Sequence, residues 1–165
     1  KAQRCTVATS TVALGTAGST ITFDIHSRDS FGNALSPVAA AAENFTATLT
    51  QAVSATTPIT VSTNSTYVRN EVHSAGYKAT VTGLYGLAVT IRGEQVSGSP
   101  FTVSVHPGAL SASKCTLSGA VLTVGGVVSQ ATPLTIHARD AYSNKLTTKA
   151  DAFAVTVTTG TATVS

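Results

Sequence analysis

The first third of this chain is repeated near its end, and this repeat limits the possible folds more than any other feature. The repeated segments, each followed by its later copy, are 4–7 (114–117), 25–33 (136–144) and 45–50 (153–158). A repeat of about one domain length indicates an array of similar modules. We therefore predict one complete module over residues 1–107 and the first half of a second module over residues 108–165.

Apolar and polar residues alternate through most of the chain, as in Ile21–Ile25, where Ile, Phe and Ile are separated by Thr and Asp. Alternation with a period of two places one face inward and the other toward water. Gly, Pro and Asn punctuate these runs, which is typical of an antiparallel β-sandwich. We interpret the alanine-rich residues 37–43 as a loop, although they could form one helical turn. The predicted strands are 5–14, 19–28, 44–52, 58–62, 65–70, 76–81, 84–92 and 100–106, and then 115–124, 131–139 and 152–159.

Charged residues make up only 10% of the 165 residues, against about 25% in an average soluble domain. No apolar run reaches the ~18–20 residues that are needed to span a bilayer, so we predict no membrane insertion in this segment. The net charge of +3 comes from scattered Lys and Arg. Because binding a polyanion requires a clustered basic face, we predict no nucleic-acid binding.

Five short motifs occur in a characteristic order. They are Ala17-Gly18, Arg28-Asp29-Ser30-Phe31-Gly32-Asn33, Gly76-Tyr77, Gly83-Leu84-Tyr85 and Gly98-Ser99-Pro100-Phe101-Thr102-Val103-Ser104-Val105. In order and spacing they resemble one filamin-type (filamin/ABP280) immunoglobulin-like repeat over roughly residues 3–107, and residues 109–158 resemble the first half of another. The resemblance implies an all-β, immunoglobulin-like antiparallel β-sandwich in tandem repeats. The second segment departs from the pattern in having Ser143 where the first has Gly32.

Two of these motifs are interpreted as structural. Arg28, Asp29, Gly32 and Asn33 could form an acid–base cluster or half of a calcium site, but calcium takes six to eight oxygen ligands and only two are nearby. Asp and Asn side chains bond to their own backbone in tight turns, so we predict a structural turn. Tyr85 could be a surface aromatic residue, and we predict instead a tyrosine corner, whose hydroxyl bonds to nearby backbone.

The chain offers few groups for chemistry. Cys5 and Cys115 occupy equivalent positions in successive modules, farther apart than the ~7 Å between Cα atoms that a disulfide allows. We predict buried thiols, with a bridge to a partner chain or to an absent segment as the alternative. Four histidines are interpreted as solvent-facing strand residues and not as metal ligands: His26, His73, His106 and His137.

Known catalytic patterns are absent from the sequence. It contains no Gly-x-Ser-x-Gly nucleophile elbow. It also has no glycine-rich loop that leads from a strand into a helix and would cradle a phosphate. We therefore predict no enzyme activity and no cofactor.

Asn44-Phe45-Thr46 and Asn64-Ser65-Thr66 are acceptor sequons, which carry glycans only in a secreted chain. The low charge and the abundant Thr also suit a glycosylated surface. We therefore predict an extracellular or cell-surface location, with Asn44 and Asn64 as glycosylation candidates.

These observations predict a non-enzymatic spacer or adhesive module of a long surface glycoprotein, with neighbouring repeats, another protein or self-assembly as its partners. The alternative is a cytosolic scaffold of the cytoskeleton, a cilium or a flagellum. The resemblance implies that such a scaffold would bind partner peptides by β-strand addition, here at the edge formed by residues 45–51 and 58–62, with Thr46, Thr48 and Thr50 as the edge candidates. A third class is an accessory module of a carbohydrate-active enzyme whose catalytic domain lies elsewhere. Residues 109–165 hold only half a sandwich, so we expect further chain or another molecule to complete it.

Overall fold

The computed structural model describes residues 4–8, 12–51, 60–123, 125, 130–147 and 152–156, with the backbone alone for residues 60–62. Its strands are β1 (Thr6–Val7), β2 (Leu14–Thr16), β3 (Thr20–His26), β4 (Phe45–Gln51), β5 (Thr60–Asn64), β6 (Thr66–Arg69), β7 (Val72–Lys78), β8 (Gly83–Ile91), β9 (Glu94–Gln95), β10 (Phe101–His106), β11 (Thr116–Ser118) and β12 (Thr135–His137). Helix α1 covers Pro37–Ala41, and two short 3-10 helices cover Ala112–Lys114 and Ala120–Leu122.

Strands β1 to β10 form two sheets. One has the order β1-β3-β7-β6, and the other has the order β2-β10-β8-β4-β5, with β9 paired to β8. All of the pairings are antiparallel except that of β2 with β10. The predicted all-β antiparallel sandwich is therefore confirmed.

Alternation along the strands fills the space between the sheets. In β8 the inward residues Tyr85, Leu87 and Val89 are at most 1% exposed, and the residues between them are more exposed. Among the residues that the structure describes, every member of the hydrophobic core lies in the range from Cys5 to Val105. These described residues form a core between the two sheets.

The predicted first strand, 5–14, is divided between the two sheets. β1 pairs antiparallel with β3, with Thr6 opposite His26. β2 pairs parallel with β10, with Leu14 opposite Ser104. The prediction of one continuous strand is therefore wrong, because the chain leaves one sheet after β1 and joins the other at β2.

Two further predictions in the first module are corrected. Residues 37–43, interpreted as a loop, contain helix α1. Ser36 caps it by accepting a hydrogen bond from the Ala39 amide, and Pro37 begins it with a backbone angle that suits a first helical turn. The strand predicted at 76–81 runs instead over Val72–Lys78. Its inward positions begin with the polar His73, so the apolar alternation did not mark its start.

The C-terminal segment adds only a two-stranded sheet within the described residues. β11 pairs antiparallel with β12, with Thr116 opposite His137, which repeats the register of Thr6 with His26. Both strands are shorter than the predicted 115–124 and 131–139. Of the predicted strand 152–159, residues 152–156 are described and are not in a strand. The remainder lies outside the described residues.

Candidate functional site

The turn after β3 is built around the carboxylate of Asp29. Its Oδ1 accepts hydrogen bonds from the backbone amides of Phe31 (2.8 Å) and Asn33 (2.9 Å), and its Oδ2 accepts one from Asn33 Nδ2 (3.0 Å). Gly32 has φ = 93°, a conformation that glycine adopts without strain. The side-chain bond from Asn33 and the backbone bonds lower the pKa of Asp29. The carboxylate is thus engaged with its own turn.

The turn after β12 repeats this arrangement bond for bond. Asp140 Oδ1 accepts from the amides of Tyr142 and Asn144, both at 2.9 Å, and Asp140 Oδ2 accepts from Asn144 Nδ2 at 2.8 Å. Ser143 takes the place of Gly32 and adopts φ = 69°. The conformation therefore survives the loss of the glycine.

The second turn, unlike the first, is docked against the sandwich. Asn144 Nδ2 donates to the Thr80 carbonyl (2.8 Å), and Asn144 Oδ1 accepts from the Thr82 amide (3.1 Å). Asp140 Oδ2 accepts from the Gly108 amide (2.9 Å). Asp140 is 1% exposed and Asn144 is 9% exposed. The two side chains that hold the turn together also attach it to the sandwich.

Electrostatics at Asp140 follow from these bonds. Burial raises the pKa of this carboxyl, but hydrogen bonds donated by Asn144, Gly108 and Tyr142 outweigh burial, so the net pKa is lowered. The carboxylate therefore remains ionised at neutral pH and accepts charge-assisted bonds.

An aromatic ring completes the docked surface. A Cβ built on Gly18 would overlap the ring of Tyr142, so the ring lies directly on the glycine backbone. Gly18 has φ = 86°, and its amide donates to the Ala79 carbonyl (2.8 Å). We use the term joint for the contacts of Asp140, Tyr142 and Asn144 with Gly18, Thr80, Thr82 and Gly108.

Sequence reasoning did not find the joint. Ile136–Asn144 repeats Ile25–Asn33, and from the sequence this repeat predicts only a turn. The available signal was topological, since a turn that follows the second strand of a sandwich lies at the end where the chain enters the module. In the first module, the Gly18 motif lies at the opposite end, where the chain leaves that module and enters the next segment.

The predicted partner-strand edge, residues 45–51 and 58–62, falls on β4 and on the first part of β5. β4, which carries Thr46, Thr48 and Thr50, pairs with β8 on one side and with β5 on the other. Its backbone therefore has no free edge for an added strand. The chain's own β5 occupies that place, and β5 is the outer strand of this sheet.

The two sequon asparagines lie close together on the surface. Both Asn44 and Asn64 are exposed. Thr46 stands opposite Asn64 in the β4–β5 pairing, and its Oγ1 donates to Asn64 Oδ1 at 3.4 Å. Both side chains are therefore accessible at the same end of this strand pair.

Tyr85 is at the position predicted for a tyrosine corner. Its hydroxyl donates to the Val81 carbonyl (2.7 Å), and the side chain is 1% exposed. Burial raises the pKa of this phenol. The hydroxyl thus bonds to backbone four residues upstream, at the start of β8.

His73 corrects the prediction of solvent-facing histidines, because it is 1% exposed. Its Nε2 lies 3.1 Å from the Ala40 carbonyl, and its Nδ1 lies 3.4 Å from Ser65 Oγ. A carbonyl can only accept, so Nε2 carries the proton and Nδ1 accepts from Ser65. Burial lowers the pKa of His73. A neutral imidazole therefore links α1 to the sheets.

The cysteines and the other titratable groups suggest no chemistry. Cys5 and Cys115 are both thiols, and Cys5 is buried as predicted. Cys115 is partly exposed, so the prediction of a buried thiol is wrong there. Burial raises the pKa of Cys5. Among the described residues, no three His, Cys, Asp or Glu side chains are grouped as a metal site would require. No helix in the described ranges has the length and apolar character needed to cross a bilayer.

These features define an immunoglobulin-like sandwich with a turn, a tyrosine hydroxyl bond and a last strand arranged as in filamin-type repeats. The Filamin/ABP280 repeat family model matches residues 1–102, more than half of the chain. The chain therefore belongs to the filamin/ABP280 repeat family. Domains of this type are generally non-catalytic.

Solved structures agree on the fold. The Lin-41 filamin domain matches with a TM-score of 0.53 and 19% identity, covering 66% of this chain and 97% of that domain. The Escherichia coli adhesin FdeC matches with a TM-score of 0.61 and 22% identity, and Yersinia pseudotuberculosis InvD with 0.50 and 20%. They cover 89% and 88% of this chain, which spans 44% of each of those two structures. A comparison with curated proteins gives no significant match.

Proposed function

We propose that this chain is a non-enzymatic spacer and adhesive module of a longer extracellular or cell-surface glycoprotein. The observation that carries the proposal is the joint. A spacer that holds the next segment of the chain at a defined angle needs contacts with that segment. The joint supplies two hydrogen bonds between Asn144 and the sandwich, one hydrogen bond to Gly108 in the connecting segment, and one aromatic contact.

The joint also supports the proposal that residues 108–165 begin a second repeat. The pairing of β11 with β12 and the turn at Asp140 reproduce the register and hydrogen bonds of β1, β3 and the turn at Asp29. Leu117, Phe153 and Val155 border an open groove of ≈ 400 Å³, and Leu117 and Val155 are more than half exposed. In a complete module such side chains would be covered by a second sheet.

A surface location is supported by the two exposed sequons and by the likeness to a protein described as an adhesin. The alternative, an intracellular scaffold, is supported by the two thiols and by the likeness to the Lin-41 filamin domain. In that alternative, a partner strand would have to add to the outer strand β5, because β4 is paired on both sides.

The spacer proposal is tested by ¹⁵N relaxation of the chain. We expect residues 135–146 to tumble with the same correlation time as the sandwich. Tyr142→Ala removes the ring from Gly18 and should shorten the correlation time of residues 135–146 alone. The matched control is Phe31→Ala, at the equivalent position of the exposed turn, and it should change nothing. Independent tumbling of residues 135–146 in the unaltered chain would overturn the proposal.

The location is tested by peptide mass spectrometry of the protein from its native source, before and after deglycosylation. Hexose-bearing peptides that contain Asn44 or Asn64 are expected. Unmodified peptides at both sites would favour the intracellular alternative.

A further inference from the structure

The turn at Asp29 has the same internal hydrogen bonds as the turn at Asp140, but it is exposed. Asn33 is exposed where Asn144 is buried, and Phe31 is 82% exposed. Within the described residues, Asn33 makes neither of the two bonds to a sandwich end that Asn144 makes. The chain therefore contains one docked copy and one undocked copy of the same surface.

We propose that Asp29, Phe31 and Asn33 form a docking surface for the end of another sandwich of this kind. The partner surface is the one that the joint uses in this chain, namely Gly18, Thr80, Thr82 and Gly108. The inference rests on the proposed spacer function and extends it, because it assigns a partner to the other end of the module.

The side chains required for such docking are all present. Asn33 offers the same amide donor and acceptor that Asn144 presents to Thr80 and Thr82. Asp29 offers the same carboxylate oxygen that accepts from Gly108. Phe31 has the ring carbons with which Tyr142 covers Gly18, and only the hydroxyl is missing.

The geometry directs the two surfaces away from each other. β3 and β7 are antiparallel, with Thr20 opposite Lys78 and His26 opposite Val72. Gly18 and Thr80 therefore lie at the end where β3 begins, and Asp29 lies beyond the end where β3 stops. The seven residues of β3 separate these ends by roughly 20 Å. Repeated docking would therefore extend an array in one direction.

The test is a head-to-tail fusion in which residues 1–110 are joined directly to residues 1–165. Pro107 then precedes the next cysteine by eight positions, as it precedes Cys115 in the natural chain. The first copy can be used in this way because its core lies entirely between Cys5 and Val105. Linking the copies raises their effective concentration, so that a weak contact becomes measurable.

The readout is hydrogen exchange at the amides of Thr82 and Gly108, which donate across the joint. In the upstream copy these amides can be protected only by the downstream Asp29 turn. We expect them to exchange at least tenfold more slowly than in residues 1–110 alone. Phe31→Ala in the downstream copy should abolish most of this protection. The control is Val68→Ala, which removes a half-exposed apolar side chain from β6 and should have no effect.

The same molecule separates this proposal from the proposed function. The downstream copy of Thr82 faces its own residues 140–144. Protection there without protection in the upstream copy would overturn the docking of the Asp29 turn and leave the spacer proposal standing. Loss of protection in both copies would overturn both proposals.

Discussion

Replacing Asn144 with Ala should open the joint. Asn144 contributes two of its three hydrogen bonds, one to the Thr80 carbonyl and one from the Thr82 amide. A typical hydrogen bond contributes a net ~1 kcal/mol, so losing both should destabilise the joint by about 2 kcal/mol. That free energy corresponds to roughly a 30-fold increase in the population of the open joint.

Hydrogen exchange at the Gly108 amide measures this opening. Gly108 donates to Asp140 and not to Asn144, so its own bond is retained in the variant. Local opening exposes such an amide to exchange with water. We expect the Gly108 amide to exchange about 30-fold faster in Asn144→Ala than in the unaltered chain.

The matched control is Asn33→Ala. It removes the equivalent bond within the exposed turn, from Asn33 Nδ2 to Asp29, but no bond across the joint. Gly108 exchange should then change less than about twofold. Similar acceleration in both variants, or none in either, would refute the assignment of the joint to the Asn144 side chain.

Three further predictions concern the sandwich itself. Folding lowers the pKa of His73, so as pH falls the unfolded chain binds this proton before the folded chain does. The free energy of unfolding, measured by urea titration, should therefore decrease as pH drops below about 6.5. His73→Gln should flatten this pH dependence, and the control His106→Gln should not. Cys5 is fully buried and its pKa is raised, so alkylation of the folded chain should be much slower at Cys5 than at Cys115. Adding urea should remove the difference. Equal alkylation rates at the two cysteines in the folded chain would contradict the burial of Cys5. Tyr85→Phe removes the hydrogen bond to the Val81 carbonyl and should lower the free energy of unfolding by about 1–2 kcal/mol. Calorimetry would detect this loss. An unchanged free energy of unfolding would contradict a structural role for the hydroxyl.

The sequence predicted the parts of the fold that follow from alternation. Strands such as β4, β8 and β10 lie close to their predicted bounds because apolar side chains mark every inward position. β7 was misplaced at its start because its first inward residue is His73, whose polarity is satisfied by Ala40 and Ser65 and not by water. Local pattern does not show such long-range partners.

The sequence predicted the two turns of the candidate site but not the docking of the second turn, because docking also depends on long-range partners. The segments 25–33 and 136–144, which contain Asp29 and Asp140, are identical at five of nine positions and form the same turn. Yet one is exposed and the other is buried against the sandwich. Its docking depends on the position of residues more than 30 positions earlier, such as Gly108 and Thr80.

The position of β5 has a consequence for crowding along an array. Neighbouring modules of similar sequence are held at high local concentration, where an open backbone edge would invite one module to pair with the next and misfold. β5 closes the edge of β4, and after Ser65 the chain continues as β6 in the opposite sheet. The strand left outside has only five residues and is rich in Thr and Ser. The open edge of this sheet is therefore a short strand, which offers a neighbouring module little backbone with which to pair.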